Sequence, residues 1–187
     1  LESIYISPDS IIITLVSALW IMLPAYVPNP IAAAFGGGRP IDGGRNFRDG
    51  RRIFGDGKTI RGFLCGVAAG ILIGLLQISG WNAAGMTWLP EHTLSSIVLL
   101  SFGALLGDLV KSFFKRRLGK KSGDKWLVAD QYDLVLGAFL MVALFALSWL
   151  LANITIPVLF WIIVLTPVLH KTANVIGFMA GVKDVPW

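Results

Sequence analysis

Apolar residues run almost without interruption over 11–33, 60–79, 93–114, 132–152 and 156–180, and the polar residues collect between these runs. Each run reaches the roughly 20 residues a helix needs to cross a hydrocarbon core about 30 Å thick at about 1.5 Å per residue. The pattern predicts an all-α polytopic membrane protein with five transmembrane helices. The chain, 1–187, reads as one integral-membrane catalytic domain, its polar chemistry confined to loops at 35–59 and 115–131. The first run has neither a basic leader nor a small-residue cleavage site, so it is expected to belong to the fold, not to a removed signal.

Charge then orients the bundle. Arg39, Arg45, Arg48, Arg51, Arg52, Lys58 and Arg61 lie between the first two runs or at their boundary. Lys111, Lys115, Arg116, Arg117, Lys120, Lys121 and Lys125 lie in or beside the second basic loop, with Lys171 and Lys183 near the C-terminus. Cations are retained on the cytoplasmic side, so the N-terminus is expected outside, and both basic loops and the C-terminus inside. Tyr5, Trp81, Trp88 and Trp149 then fall at the outer headgroup level, where amphipathic rings are favoured.

Composition agrees. Hydrophobic residues make up 55% of the chain and charged residues 14%, and the mean hydropathy is +0.72, outside the range of a soluble domain. The net charge of +5 does not imply nucleic acid here, because the cations gather at one membrane face, where anionic lipid or nucleotide phosphate is the natural partner. The single cysteine, Cys65, excludes an intramolecular disulfide and a cysteine-based metal cluster.

The chemistry lies where charge enters the apolar runs. Asp108, Lys111, Ser112 and Lys115 recur at helical spacing and form one polar stripe leaving the third span. A short carboxylate two turns inside the basic cluster needs a cation or metal. Asp130 and Asp133, three residues apart, present two carboxylates on one face at the start of the fourth span, with Gly137 continuing that face. Asp130 alone would also serve as an N-terminal helix cap. Three hard oxygen donors beside phosphate-binding cations suit magnesium.

The first inner loop contains Gly36, Gly37, Gly38, Gly43, Gly44, Gly50, Gly55 and Gly57. Its backbone amides can approach an anion closely, although the loop has no Walker pattern. Asp49-Gly50 between two arginine-rich arms signals a two-residue hairpin, hence a short cytoplasmic β-ribbon. Lys58 and Arg61 are positioned to neutralise phosphate at the loop's end, and Asp56 to meet metal or ribose. Gly62, Gly66, Gly70 and Gly74, like Gly103 and Gly107, form flat stripes for close helix packing and leave a homodimer open. Pro167 is expected to disturb the last helix ahead of His170, Lys171 and Asn174. His170 and Asn174 are expected to hydrogen-bond, and Lys171 to meet lipid phosphate.

Gly107-Asp108-Leu109, Ser112 and Lys115-Arg116 give G-D-L-x-x-S-x-x-K-R, which resembles the signature of the CDP-diacylglycerol synthase family of membrane cytidylyltransferases. The usual H-G-G-x-x-D-R-x-D ending is here Trp126-Leu127-Val128-Ala129-Asp130-Gln131-Tyr132-Asp133, which keeps both aspartates but lacks His-Gly-Gly and the arginine. This departure, the small size and the glycine-rich 46–62 segment resemble the family's archaeal branch. The resemblance implies magnesium-dependent transfer of cytidylyl from CTP to a membrane ether-lipid phosphate, unsaturated archaetidic acid, with release of pyrophosphate at the cytoplasmic face of the cell membrane. It implies catalytic or metal roles for Asp108, Asp130 and Asp133, and phosphate contacts for Ser112, Lys115 and Arg116. With the cations read above, the catalytic candidates are Asp108, Asp130, Asp133 and Lys115. The substrate-binding candidates are Lys58, Arg61, Lys111, Ser112, Arg116, Arg117 and Lys171.

A different class, a small transporter or channel, would use Asp108, His170 and Lys171 to line a pathway. The outer half supplies no matching ionisable residues, which favours an enzyme. A CDP-alcohol phosphotransferase would need a D-G-x-x-A-R signature that the chain lacks.

Overall fold

The computed structural model describes residues 8–121, 123–182 and 185–186; Tyr5 and Lys183 lie outside them. The described residues are all-helical: α1 Pro8–Tyr26, α2 Pro28–Ala34, α3 Ile60–Ala84, α4 Leu94–Arg117, α5 Leu127–Phe145, α6 Leu147–Asn153 and α7 Ile156–Met179. By length and composition, four stretches can cross a membrane: Ser10–Ala34, Ile60–Ala84, Leu94–Arg117 and Ile156–Met179.

The run 132–152 is not one helix. Its helical part starts earlier, at Leu127, because the polar residues Asp130 and Gln131 interrupt hydropathy without interrupting backbone hydrogen bonding. It then turns at Ala146, whose φ of −148° and ψ of 46° are not helical. No proline or glycine marks that turn in the sequence.

Local chemistry fixes the helix ends. Thr59 caps α3 by accepting from the Gly62 amide at 3.1 Å, and Gly85 ends it in the left-handed region at φ 60°. Thr93 and Ser96 form a reciprocal capping box at the start of α4.

The core joins Ala18, Ile21, Met22 and Ala25 of α1 to Leu100 and Ala104 of α4. Leu134, Val135, Ala138 and Val142 of α5, with Val158 and Ile162 of α7, complete it. Large apolar side chains also cover the outside of the bundle, among them Leu136, Leu140, Leu151, Ile156 and Phe160. Such an exterior is stable against lipid and unstable against water.

The glycine stripes are consumed within the chain. A Cβ on Gly66 would come within 2.6 Å of the Pro28 carbonyl, and one on Gly74 within 2.5 Å of Ile97. The α3 stripe therefore seats α1, α2 and α4 and is not itself free to pack against a second copy.

Prolines inside apolar helices free carbonyls that lipid cannot satisfy, and neighbouring helices supply the donors. Pro24 frees the Trp20 carbonyl, which accepts from Gln77 at 2.8 Å and faces His92 Nε2 at 3.3 Å. At the α1–α2 junction Pro28, the first residue of α2, likewise leaves free the carbonyl of Pro24, which accepts from the Ser101 hydroxyl at 3.0 Å. Pro167 frees that of Ile163, to which the Tyr132 hydroxyl donates at 3.0 Å. The expected disturbance at Pro167 is thus absorbed, and α7 continues through it.

Loop 35–59 forms no strand among the described residues. Antiparallel bridges join Asn46 to Arg52 and Pro40 to Thr59. The turn is wider than the two-residue hairpin expected at Asp49-Gly50, because the Phe47 amide donates to the Arg51 carbonyl at 2.7 Å and the Gly50 amide to the Phe47 carbonyl at 3.0 Å.

Candidate active site

The site begins with three glycines. On α4, Gly103 and Gly107 face Gly137 of α5 so closely that a Cβ on Gly107 would meet the Asp133 carbonyl oxygen, and one on Gly137 the Gly103 carbonyl oxygen. Backbone contact at this point brings the charged faces of the two helices together at their basic end.

There the Lys111 ammonium stands among three carboxylates. It lies 3.1 Å from Asp108 Oδ1, 3.4 Å from Asp130 Oδ1 and 2.6 Å from Asp133 Oδ2. Lys58 arrives from loop 35–59 and pairs with Asp108 Oδ2. Lys115 lies 3.3 Å from both Asp130 oxygens. Asp108, Ser112, Lys115 and Asp133 are all buried. Burying these charges is unfavourable unless each is paired, and the alternation of sign compensates them.

Trp126, not Asp130, holds the N-cap position of α5, and Asp130 lies in the helix's first turn. Its Oδ2 accepts from the Trp126 amide at 2.7 Å, closing the first turn of α5, while its Oδ1 faces Lys111 and Lys115. Among the described residues, no three acidic, histidine or cysteine side chains form a ready-made metal cage, since Lys111 takes the centre of the aspartate triad.

The other candidate residues are placed differently. Arg117 docks the loop: it donates to the Arg51 and Arg52 carbonyls at 3.1 and 2.6 Å, pairs with Asp49 at 2.9 Å, and lies over the rings of Phe47 and Phe113, which contact each other edge to face. Arg51 reciprocates by donating to the Arg117 carbonyl at 2.5 Å, at the negative end of the α4 dipole. Arg116 donates to the Lys120 carbonyl at 2.9 Å. Arg61 donates to the carbonyls of Phe35 and Gly36 and stays at the loop's base. Lys171 is exposed on α7 and joins none of the ion pairs of the cluster. His170 and Asn174 contact each other at 3.2 Å, as their spacing implies.

Between the two basic loops is an open cavity of about 490 Å³, walled by Arg51, Arg52, Arg116, Lys120 and Lys121, with Asp56 and the glycines 55, 57 and 119. Five cations against one carboxylate make it a basin for an anion. The two basic loops therefore meet at one end of the bundle.

One carboxylate stands outside the motif pattern. Asp42 accepts from the amides of Gly44, Phe54 and Gly55, each at 3.0 Å, and from Arg52 at 2.7 and 3.3 Å. Burial opposes its charge, but Arg52 and the three amides outweigh burial and hold its carboxyl well below the usual carboxylate range. Only the Asp42-Gly43-Gly44 turn chemistry hinted at it in the sequence.

Residues 11–187 match the family described as CarS-like, CDP-archaeol synthase. The chain is 58% identical over 166 residues to the CDP-archaeol synthase of Methanosphaerula palustris, and equally so to that of Methanoculleus marisnigri. Each alignment covers 89% of this chain and 100% of the relative. The Methanosarcina mazei CDP-archaeol synthase is 47% identical over 175 residues, with the same coverage. A solved structure, described as an intramembrane enzyme for archaeal membrane lipid biosynthesis, matches with a TM-score of 0.69 at 34% identity. That match covers 86% of this chain and 94% of the other.

Proposed function

Because the chain belongs to the CDP-archaeol synthase family, we propose that it transfers the cytidylyl group of CTP to unsaturated archaetidic acid, forming CDP-unsaturated archaeol and pyrophosphate. The observation that carries this reading is the gathering of Asp108, Asp130 and Asp133 with Lys58, Lys111 and Lys115 at the basic end of an apolar bundle. A lipid phosphate held at headgroup depth and a nucleotide from the aqueous side can meet there. The positive-inside rule supports placing this end at the cytoplasmic face of the cell membrane, with α5 and α6 supplying the fifth crossing.

In the reaction, an oxygen of the lipid phosphate attacks the α-phosphorus of CTP. The new phosphorus–oxygen bond forms as the bond to the β-phosphate bridging oxygen breaks, and pyrophosphate leaves with the electron pair. The attacking monoester is already anionic, so no general base is required, and the main task is to hold two mutually repelling anions in line. Lys58, Lys111 and Lys115 supply fixed positive charge for that task. The cavity of Arg51, Arg52, Arg116, Lys120 and Lys121 suits the nucleotide's triphosphate, and exposed Lys171 suits lipid headgroups.

Magnesium suits the hard oxygens of Asp108, Asp130 and Asp133, and its binding there would require the Lys111 ammonium, which fills the space between them, to move aside. Bound by these residues, it would neutralise charge on the phosphates and on the leaving pyrophosphate.

The test uses purified protein in liposomes with CTP labelled at its α-phosphorus and the ether-lipid phosphate. Label should pass into the lipid fraction with equimolar pyrophosphate release, and with CTP in preference to other nucleoside triphosphates. Solute flux across the vesicle without CTP consumption would favour the transporter reading instead.

A further inference from the structure

Loop 35–59 has two isolated bridges but no regular helix or strand to hold it among the described residues. Gly37, Gly38, Gly43, Gly44, Gly50 and Gly55 all adopt positive φ, and ordering so much glycine is entropically unfavourable. Yet this loop delivers Lys58 to Asp108. The group that organises it is Asp42, whose side chain is completely excluded from solvent.

Its two oxygens are fully used. Oδ1 accepts from the Gly44 amide and from Arg52 Nη2, and Oδ2 from Arg52 Nε and the amides of Phe54 and Gly55. A carboxylate is acceptor-only, so it fits five donors where an amide would turn an N–H against some of them. Two backbone bonds carry this arrangement to Lys58. The Lys58 amide donates to the Gly55 carbonyl at 3.2 Å, and the Ile41 amide, next to Asp42, donates to the Lys58 carbonyl at 2.8 Å. Both neighbours of Lys58 in this hydrogen-bond chain thus adjoin groups fixed by Asp42. The far side of the loop is strapped to α4 by the reciprocal Arg51 and Arg117 bonds, so movement at Asp42 falls on Lys58.

We propose that Asp42 is a positioning residue for cytidylyl transfer: it fixes the fold of loop 35–59 so that the Lys58 ammonium is held on Asp108 at the edge of the charge cluster. The role in transfer rests on the function proposed above; the coupling of Asp42 to Lys58 does not. When Asp42 is neutralised, Lys58 leaves Asp108, and Asp108 keeps only Lys111 as a cationic partner.

The experiment compares wild type, Asp42→Asn, Lys58→Met and the double variant in detergent, by three measurements. The first is the rate at which an amine-directed acylating reagent modifies Lys58, followed by peptide mass spectrometry. In Asp42→Asn, Lys58 should react several-fold faster while Lys171 reacts as in wild type. The second is cytidylyl transfer. Asp42→Asn should lose about tenfold or more in kcat/KM, the scale of a misplaced phosphate-positioning group. In the Lys58→Met background the same change should lose little further, because its effect runs through Lys58. The third is thermal unfolding, which separates this from general destabilisation.

Unchanged Lys58 labelling in Asp42→Asn overturns the proposal, as do losses that multiply in the double variant. If wild type transfers no cytidylyl at all, the functional reading fails while the labelling still decides the coupling. Should Asp42→Asn not fold, Arg52→Gln removes two of the five donors and should raise Lys58 labelling in the same direction; an unchanged rate there overturns the proposal equally.

Discussion

Lys111 holds the cluster together, because its one ammonium faces carboxylates from two helices. Lys111→Met would leave buried aspartates facing one another, and we expect it to lower unfolding stability in detergent by about 3 kcal/mol or more, read by thermal or denaturant unfolding. Asp42 makes a pH prediction. Its carboxyl is depressed in the folded state, so the stability it contributes is fully present above the ordinary carboxylate range near about 4. That stability declines as pH falls from there through the lower folded value. Hydrogen-exchange protection of the 35–59 amides should weaken across that acidic window in wild type and much less in Asp42→Asn. The aspartates on helices were legible because 108, 111 and 115, like 130 and 133, recur at helical spacing. Asp42 was not, because its partners at 44, 52, 54 and 55 share no period and are joined only by loop folding. The docking role of Arg117 was hidden likewise, since charge alone does not separate a guanidinium that holds backbone from one that awaits phosphate.

At the level of elements, small residues and prolines determine how closely the helices meet. Gly107→Ala would push the new methyl into the Asp133 carbonyl and force α4 and α5 apart beside the charge cluster. Transfer activity should fall by about a hundredfold even where helicity by circular dichroism is unchanged, in keeping with the sensitivity of in-line reactions to small displacements. Tyr132→Phe would leave the Ile163 carbonyl, freed by Pro167, without its hydroxyl donor, lowering stability by about 1 kcal/mol in an unfolding titration. The apolar runs made α3, α4 and α7 readable to within a few residues. Hydropathy misplaced the start of α5 because the site's own aspartates break the run, and it missed the turn at Ala146 because a plain alanine carries no signal. That turn seats α6 so that the Trp149 indole donates to the Glu91 carbonyl at 2.8 Å, alongside Trp20 on Pro90 and Trp81 on Leu89. Trp81 and Trp149, expected at the headgroup level, thus fasten the 85–93 loop together with Trp20.

Across the whole molecule, charge is segregated. An apolar bundle carries its cations and buried carboxylates at one end, and loop 35–59 closes onto that end through Lys58 and Arg117. The one-sided distribution of lysine and arginine in the sequence foretold that the basic loops would share an end. What it did not foretell is that many of these cations hold the loop in place, leaving Lys58, Lys111 and Lys115 on the carboxylates. The proposed cytidylyl transfer to lipid rests on this aspartate and lysine cluster. The most direct measurement is incorporation of α-phosphorus label from CTP into ether lipid by purified wild type, Asp108→Asn and Asp133→Asn at matched membrane insertion. Wild type should label the lipid, and both variants should lose essentially all incorporation while remaining folded. Wild-type rates in a folded Asp133→Asn variant would contradict the account.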